Sequence, residues 1–325
     1  MFFKARRILG AALVISLFIQ MHIAGYGYAD HRSKIAFTST RHGYWDIYVM
    51  DDDGRNQKRL TENPSNDRYA AWSPDGTKIA FVSNRNNGFI QIWVMDADGG
   101  NPTRLTDGVW DNNPDWSPDG RTIAYDFLLN PWDDDKWNRT IYAMDSDGKN
   151  NRQLIEKPGW DTHPSWSPDG SKIVFASRRN MRHEFYVMDA NGKEIERITH
   201  DFTPKYKPTW SPDGSRIAYY TNHHIGVMDI DGTNQRRLTE NGWHGQPTWS
   251  PDGESIAFHT RDQNRGDFTI FTVGAKGGAV NPIGLDIGQS DFEPDWFNPG
   301  QFSVSPEGSR ITIWGRLKNM ASSPR

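Results

Sequence analysis

No cysteine occurs anywhere in the 325 residues, which removes disulfides, Cys-ligated metal and a lipid-modified N-terminal cysteine from consideration. Long apolar runs are missing too. The one candidate, Ile8 to Ile19, has 12 residues before Gln20 and His22, short of the roughly 20 that a membrane-spanning helix needs. No block of like charge appears either. Formal net charge is −4, and without the basic residues of the first 29 (Lys4, Arg6, Arg7) it becomes −7, so nucleic acid is not an expected partner. A Gly-x-Ser-x-Gly nucleophile elbow is also absent, which argues against a serine peptidase.

What remains is rich in turn formers and indoles, with 30 Gly, 19 Pro and 14 Trp, a profile of many short strands and tight turns. The N-terminus reads as a secretory signal over residues 1–29. Its basic start precedes the apolar stretch, and Gly27-Tyr28-Ala29 places small residues where a signal peptidase cuts. Export to the periplasm or the medium is therefore expected, with no stable membrane span once the leader is removed.

The pentapeptide Trp-Ser-Pro-Asp-Gly recurs at Trp72, Trp116, Trp166, Trp210 and Trp249, at intervals of 44, 50, 44 and 39 residues. Repeats of that period signal blades or solenoid units. Each copy is followed by an alternating strand such as Ile79-Ala80-Phe81, a second such as Ile92-Trp93-Val94-Met95-Asp96, and a third such as Arg104-Leu105-Thr106. Four strands per repeat make a propeller blade. Ser-Pro-Asp-Gly suits a tight turn, with Pro fixing φ and Gly accepting positive φ, and Asp-Gly pairs such as Asp98-Gly99 suit the next hairpin.

Six modules begin at Ile35, Ile79, Ile123, Ile173, Ile217 and Ile256, and the first lacks its leading strand. Pro294-Asp295-Trp296 repeats the Pro-x-Trp of that strand at the far end. The prediction is an all-β, six-bladed propeller of four-stranded antiparallel blades over residues 30–300, closed by its N- and C-terminal segments. Residues 301–325 form a tail that adds a strand or cap.

Together, the motifs Trp-Ser-Pro-Asp-Gly, Ile-Ala-Phe-x-Ser, Ile-Tyr-Val-Met-Asp-x-Asp-Gly and Arg-Leu-Thr resemble the propeller repeat of the TolB family, over about residues 33 to 300. The resemblance implies a six-bladed propeller and a protein or peptide partner in the periplasm, here without the α/β domain that precedes the propeller in TolB. Similar blades also occur in exopeptidase propeller domains and oligogalacturonate lyases, so the motifs mark a fold more than a function.

Strand parity places the second-to-third and fourth-to-first connections on one face, and these vary between repeats. Counting back from each first-strand Trp, the fifth residue is Asp67, Asp111, Asp161, Lys205, His244 or Asp291. The third is Tyr69, Asn113, His163, Lys207, Gln246 or Glu293. Simple alternation puts both sets on one side of the innermost strand, ringing the channel mouth. Trp110, Trp160 and Trp243 precede three of these positions, where an indole either stacks on a ligand or fills a groove between blades. The longest connection, Asp126 to Thr140, carries Trp132 and Trp137 among acidic residues.

The leading expectation is thus an exported scaffold that binds a protein or peptide at these positions, with a glycan as a second ligand class. A metal-dependent carbohydrate lyase using His163 and His244 is the alternative, and a purely structural envelope module a third. No cofactor is expected, and the Asp-x-Asp-Gly hairpins lack the later ligands of a calcium loop.

Overall fold

The structure, a computed structural model, describes residues 33–132, 138–240, 242–261, 266–283 and 290–297. The expected leader and the tail at 301–325 lie outside the described residues, as do Asp133 to Trp137 of the longest connection.

Among the described residues, twenty-four strands assemble into six antiparallel sheets. Blade 1 contains β1 (Lys34–Ser39), β2 (Asp46–Asp51) and β3 (Lys58–Arg59), blade 2 β4 (Asp67–Trp72), β5 (Lys78–Asn86), β6 (Phe89–Asp96) and β7 (Thr103–Arg104). Blade 3 has β8 (Asp111–Trp116), β9 (Thr122–Leu129), β10 (Asn138–Asp145) and β11 (Arg152–Gln153). Blade 4 has β12 (Thr162–Trp166), β13 (Lys172–Ser177), β14 (Glu184–Asp189) and β15 (Glu196–Arg197). Blade 5 follows with β16 (Tyr206–Trp210), β17 (Arg216–Tyr220), β18 (Ile225–Asp229) and β19 (Arg236–Arg237). Blade 6 has β20 (His244–Trp249), β21 (Ser255–Arg261), β22 (Phe268–Gly274) and β23 (Val280–Pro282). The last strand, β24 (Asp291–Phe297), pairs with β1 and completes blade 1, as the displaced Pro-x-Trp predicts. We name the strands of each blade A to D from the channel outward.

Consecutive A strands pack side by side, and β24 lies against both β4 and β20, so the ring is closed. Each A strand is the inner edge strand of its own sheet, and closure turns that edge toward the central channel instead of the outer surface. No blade has a core of its own. Each apolar cluster joins two neighbours: Ala124, Ile141 and Leu154 of blade 3, for instance, pack against Trp166, Ile173 and Phe175 of blade 4. This follows from strand alternation, since Ile173 and Phe175 face back while Val174 and Ala176 face forward onto Trp210 and Ile217.

The repeated motifs acquire specific work. In each Ser-Pro-Asp-Gly turn the serine hydroxyl donates to the aspartate, and accepts the N–H of the residue that opens strand B, as in Ser73 with Asp75 (2.7 Å) and Lys78 (2.9 Å). The glycine of the C–D turn does more than turn. Gly232 has φ +81°, and a Cβ there would collide with the Ile198 carbonyl of the preceding blade, so this residue also sets how closely blades approach. In Arg-Leu-Thr the aliphatic residue enters the core and the threonine caps the next-inward strand: Thr61, Thr106, Thr199 and Thr239 accept the N–H groups of Ile47, Ile92, Phe185 and Ile225. Thr199→Val orphans a buried N–H at constant shape, and urea unfolding should show a loss of about 1–2 kcal/mol.

Candidate functional site

The A strands do not alternate simply. All six carry a bulge at the same place, where two residues oppose one on strand B, for example between Arg68 and Ala71, Thr162 and Ser165 and on the β24 side between Phe292 and Asp295. The first bulged residue is Tyr69, Asn113, His163, Lys207, Gln246 or Glu293, and all six have φ between 48° and 56°. The expectation that the fifth- and third-back residues share one side of the strand is therefore corrected, because an extra residue in the left-handed region rotates the strand between them.

The fifth-back residues turn into the blade edge. Asp67, Asp111, Asp161 and Lys205 are buried. Asp67 pairs with Arg85 (2.9 Å), Asp161 with Arg179 (2.8 Å) and Asp291 with Arg41 through both oxygens (2.9 Å). Lys205 takes Asp201 (2.6 Å), and the His244 ring nitrogen meets the Glu240 carbonyl oxygen (2.9 Å). Each of the three arginines lies over the aromatic residue of its own strand C, 4.6–4.8 Å from the ring centre, at Tyr48, Trp93 and Tyr186.

Blade 3 breaks the pattern. Its B strand has Phe127 and Leu129 where blades 1, 2 and 4 have Ser and Arg, and the Phe127 ring lies 4.6 Å from Tyr142, in the guanidinium's place. Asp111 has no counter-ion among the described residues. Neither carboxylate oxygen makes a hydrogen bond of ordinary geometry. Burial pushes its pKa up to about 7, against weaker opposing effects of the Thr106 hydroxyl and the Gly108 N–H.

The third-back residues stitch neighbouring blades. Glu293 accepts the Thr38 hydroxyl (2.9 Å) and the Tyr69 N–H (3.0 Å), and is ion-paired with Arg68, whose guanidinium sits over Trp45. Asn113 donates to Asp126 (2.6 Å), which also accepts the His163 N–H (3.3 Å) and pairs with Arg139. Gln246 and Lys207 are partly exposed. The Lys207 charge is felt by Asp115 and Asp295, each two blades away on opposite sides of the ring.

His163 and His244 lie on the A strands of blades 4 and 6, two blades apart. Burial lowers the pKa of both, and the charged neighbours of His163 are Lys207 and Arg139, which repel a cation as they repel a second proton. Among the described residues no three His, Asp or Glu side chains stand close enough together to hold a metal ion.

A second concavity was not anticipated. On the face built from the tight turns, the six strand-A Trp residues funnel into a cavity of about 160 Å³ whose wall includes Asp115 and Asp295. Asp115 accepts the Trp166 N–H (2.7 Å) and Asp295 the Trp72 N–H (2.8 Å), each across a blade boundary. Burial raises both pKa values, that of Asp115 to about 7. The only sequence signal was the middle residue of Pro-x-Trp, Asp in two repeats and uncharged in the others.

The profile of the family described as the TolB beta propeller domain matches residues 12–128 and 132–296. The chain belongs to this family. A stretch of 53 residues is 45% identical to the Tol-Pal system protein TolB of Desulfosudis oleivorans, covering 16% of this chain and 12% of that protein. The crystal structure of TolB from Acinetobacter baumannii has a TM-score of 0.72 at 24% identity, over 82% of this chain and 67% of that one. A putative TolB from Agrobacterium tumefaciens gives 0.64 at 22%, over 80% and 91%. A chain of a nidogen/laminin complex gives 0.68 at 11%, over 82% and 99%. At these identities the structural likeness shows the fold.

On this TolB-type propeller the exposed apolar side chains are unevenly placed. Of nine large ones among the described residues, seven lie at B–C or D–A connections: Tyr44, Phe89, Trp110, Trp132, Met181, Phe202 and Trp243. Trp243 is 71% exposed and Trp110 40%, while Trp160 is half-buried beside its blade boundary. The groove-filling alternative fits Trp160 better than the other two.

Proposed function

We propose that this chain is an exported scaffold whose loop-rich face binds a protein or peptide partner. The observation that carries the proposal is the concentration of exposed aromatic and thioether side chains on that face, the composition of interface anchors. The leader-like residues 1–29 support a periplasmic or secreted location, and no helix of the described residues is long and apolar enough to cross a membrane. The name of the Desulfosudis relative ties that protein to a Tol-Pal system, which favours a protein partner over a glycan.

Of the residues expected at the channel mouth, Trp110 and Trp243 supply contact area, with Trp160, Tyr69, Asn113, His163, Lys207, Gln246 and Glu293 nearer the channel. Asp67, Asp111, Asp161, Lys205, His244 and Asp291 hold the connections in place beneath them. Affinity capture from the envelope of the source organism, read by mass spectrometry, tests the proposal. Trp110→Ala/Trp243→Ala should reduce the captured partner by more than about tenfold, the loss expected of two anchor residues, with the melting temperature unchanged. Equal capture by wild type and variant would sink it.

A further inference from the structure

The B–C loop of blade 4 reads Arg178-Arg179-Asn180-Met181-Arg182-His183, three guanidinium groups and no acid in a chain of formal net charge −4. Arg179 is engaged by Asp161 and Tyr186. Arg178 and Arg182 are exposed, and neither has a carboxylate partner among the described residues. The Arg182 guanidinium lies 4.0 Å over the ring of Phe202, itself 79% exposed. That stacking fixes its plane and leaves its N–H edge to solvent.

On the other flank of the loop an open cleft of about 470 Å³ is bounded by Pro158, Trp160, Met181 and Arg178. Two of these residues sit in the left-handed region, Trp160 at φ +61° and Met181 at φ +66°. Neither is a residue that adopts it cheaply. The Trp160 N–H donates to the Asn138 side chain (2.8 Å) and the Met181 N–H to the Arg178 carbonyl (2.7 Å), so the strained backbone is held in place. A ring and a thioether thus line this cleft, with a cation at its rim.

We infer that this loop docks an acidic peptide segment of the partner, with one apolar side chain between Trp160 and Met181 and carboxylates on Arg178 and Arg182. The inference rests on the binding role proposed for this face. Planar guanidinium groups match carboxylates edge to edge, and a flexible thioether adapts to an apolar anchor. A neutral glycan would call for carboxylates to accept its hydroxyls. Among the described residues those near the loop are already committed: Asp161 to Arg179, Glu184 to Arg197 (2.5 Å) and Asp201 to Lys205. Glu156, in the neighbouring connection, is offset by the adjacent Lys157.

The test uses a fluorescein-labelled decapeptide of alternating Asp and Glu around one central Trp, and a twin in which every acid is replaced by its amide. Fluorescence polarisation with the full chain should show the acidic peptide binding more tightly than its twin. Affinity should fall about tenfold or more in Arg178→Glu/Arg182→Glu, the scale of two charge-assisted contacts, and by a smaller factor in Met181→Gly, whose φ suits glycine. Equal binding of the two peptides, or an undiminished charge-reversed variant, overturns the inference. So does Arg-dependent binding of polygalacturonate or phosphatidylglycerol vesicles in place of the peptide. If capture from the envelope is lost in Trp110→Ala/Trp243→Ala and kept in Arg178→Glu/Arg182→Glu, the binding face stands and the acidic-peptide assignment falls.

Discussion

Asp111→Asn should stabilise the protein at pH 8 by up to about 4 kcal/mol and leave it nearly unchanged at pH 4. The wild-type carboxyl is buried against Phe127 with no cation beside it among the described residues, and its pKa rises from 3.8 to about 7 on folding. Between those values the native chain holds a proton that the unfolded chain has released. The stability this group contributes is therefore fully present below pH 3.8 and lost as pH rises through about 7. Asparagine keeps the shape and removes the titration. Urea unfolding at the two pH values reads the difference directly, and an identical pH dependence in variant and wild type would mean that Asp111 finds a partner in solution.

The second large effect has the opposite sign. Asp161→Ala strips the Arg179 guanidinium of its carboxylate, and removing one member of a buried pair costs about 3–5 kcal/mol because the other charge is left in place. The Asp161 side chain is wholly enclosed and that of Arg179 is 23% exposed, so the pair belongs near the lower end. Thermal melting checks it, and Asp161→Ala/Arg179→Leu should recover most of the loss by reproducing what blade 3 already does with Leu129. A variant such as Asp111→Ala/Asp161→Ala/His244→Ala would therefore perturb the frame beneath the loops, and any change in partner capture would follow from that.

The contrast between blades 3 and 4 also marks how far the sequence could be read. The fold was legible because the defining residues are local: Trp-Ser-Pro-Asp-Gly closes strand A in five blades, and Pro294-Asp295-Trp296 marks the displaced sixth. The candidate site was only partly legible. A bulge inserts one residue without changing the polar character of either neighbour, so nothing in the pattern at Arg68-Tyr69-Ala70 announces that alternation fails there. Yet a signal for the buried pairs was present. Ser-x-Arg at Ser39–Arg41, Ser83–Arg85 and Ser177–Arg179 accompanies Asp291, Asp67 and Asp161, and is missing where Asp111 stands alone. Arg261, the last residue of strand B in blade 6, instead donates to the Gly266 carbonyl (3.0 Å).

The pairing that closes the ring sets Lys34 opposite Phe297 and Ser39 opposite Asp291. The two ends of the described chain therefore leave the same end of one ladder. Tension drawn between them peels that ladder one hydrogen bond at a time, whereas strands pulled from opposite ends would share the load across every bond. A tether holding both ends apart would open blade 1 at low force and release β24 while the other five blades stayed folded. A tether on one end alone would leave the seam unloaded.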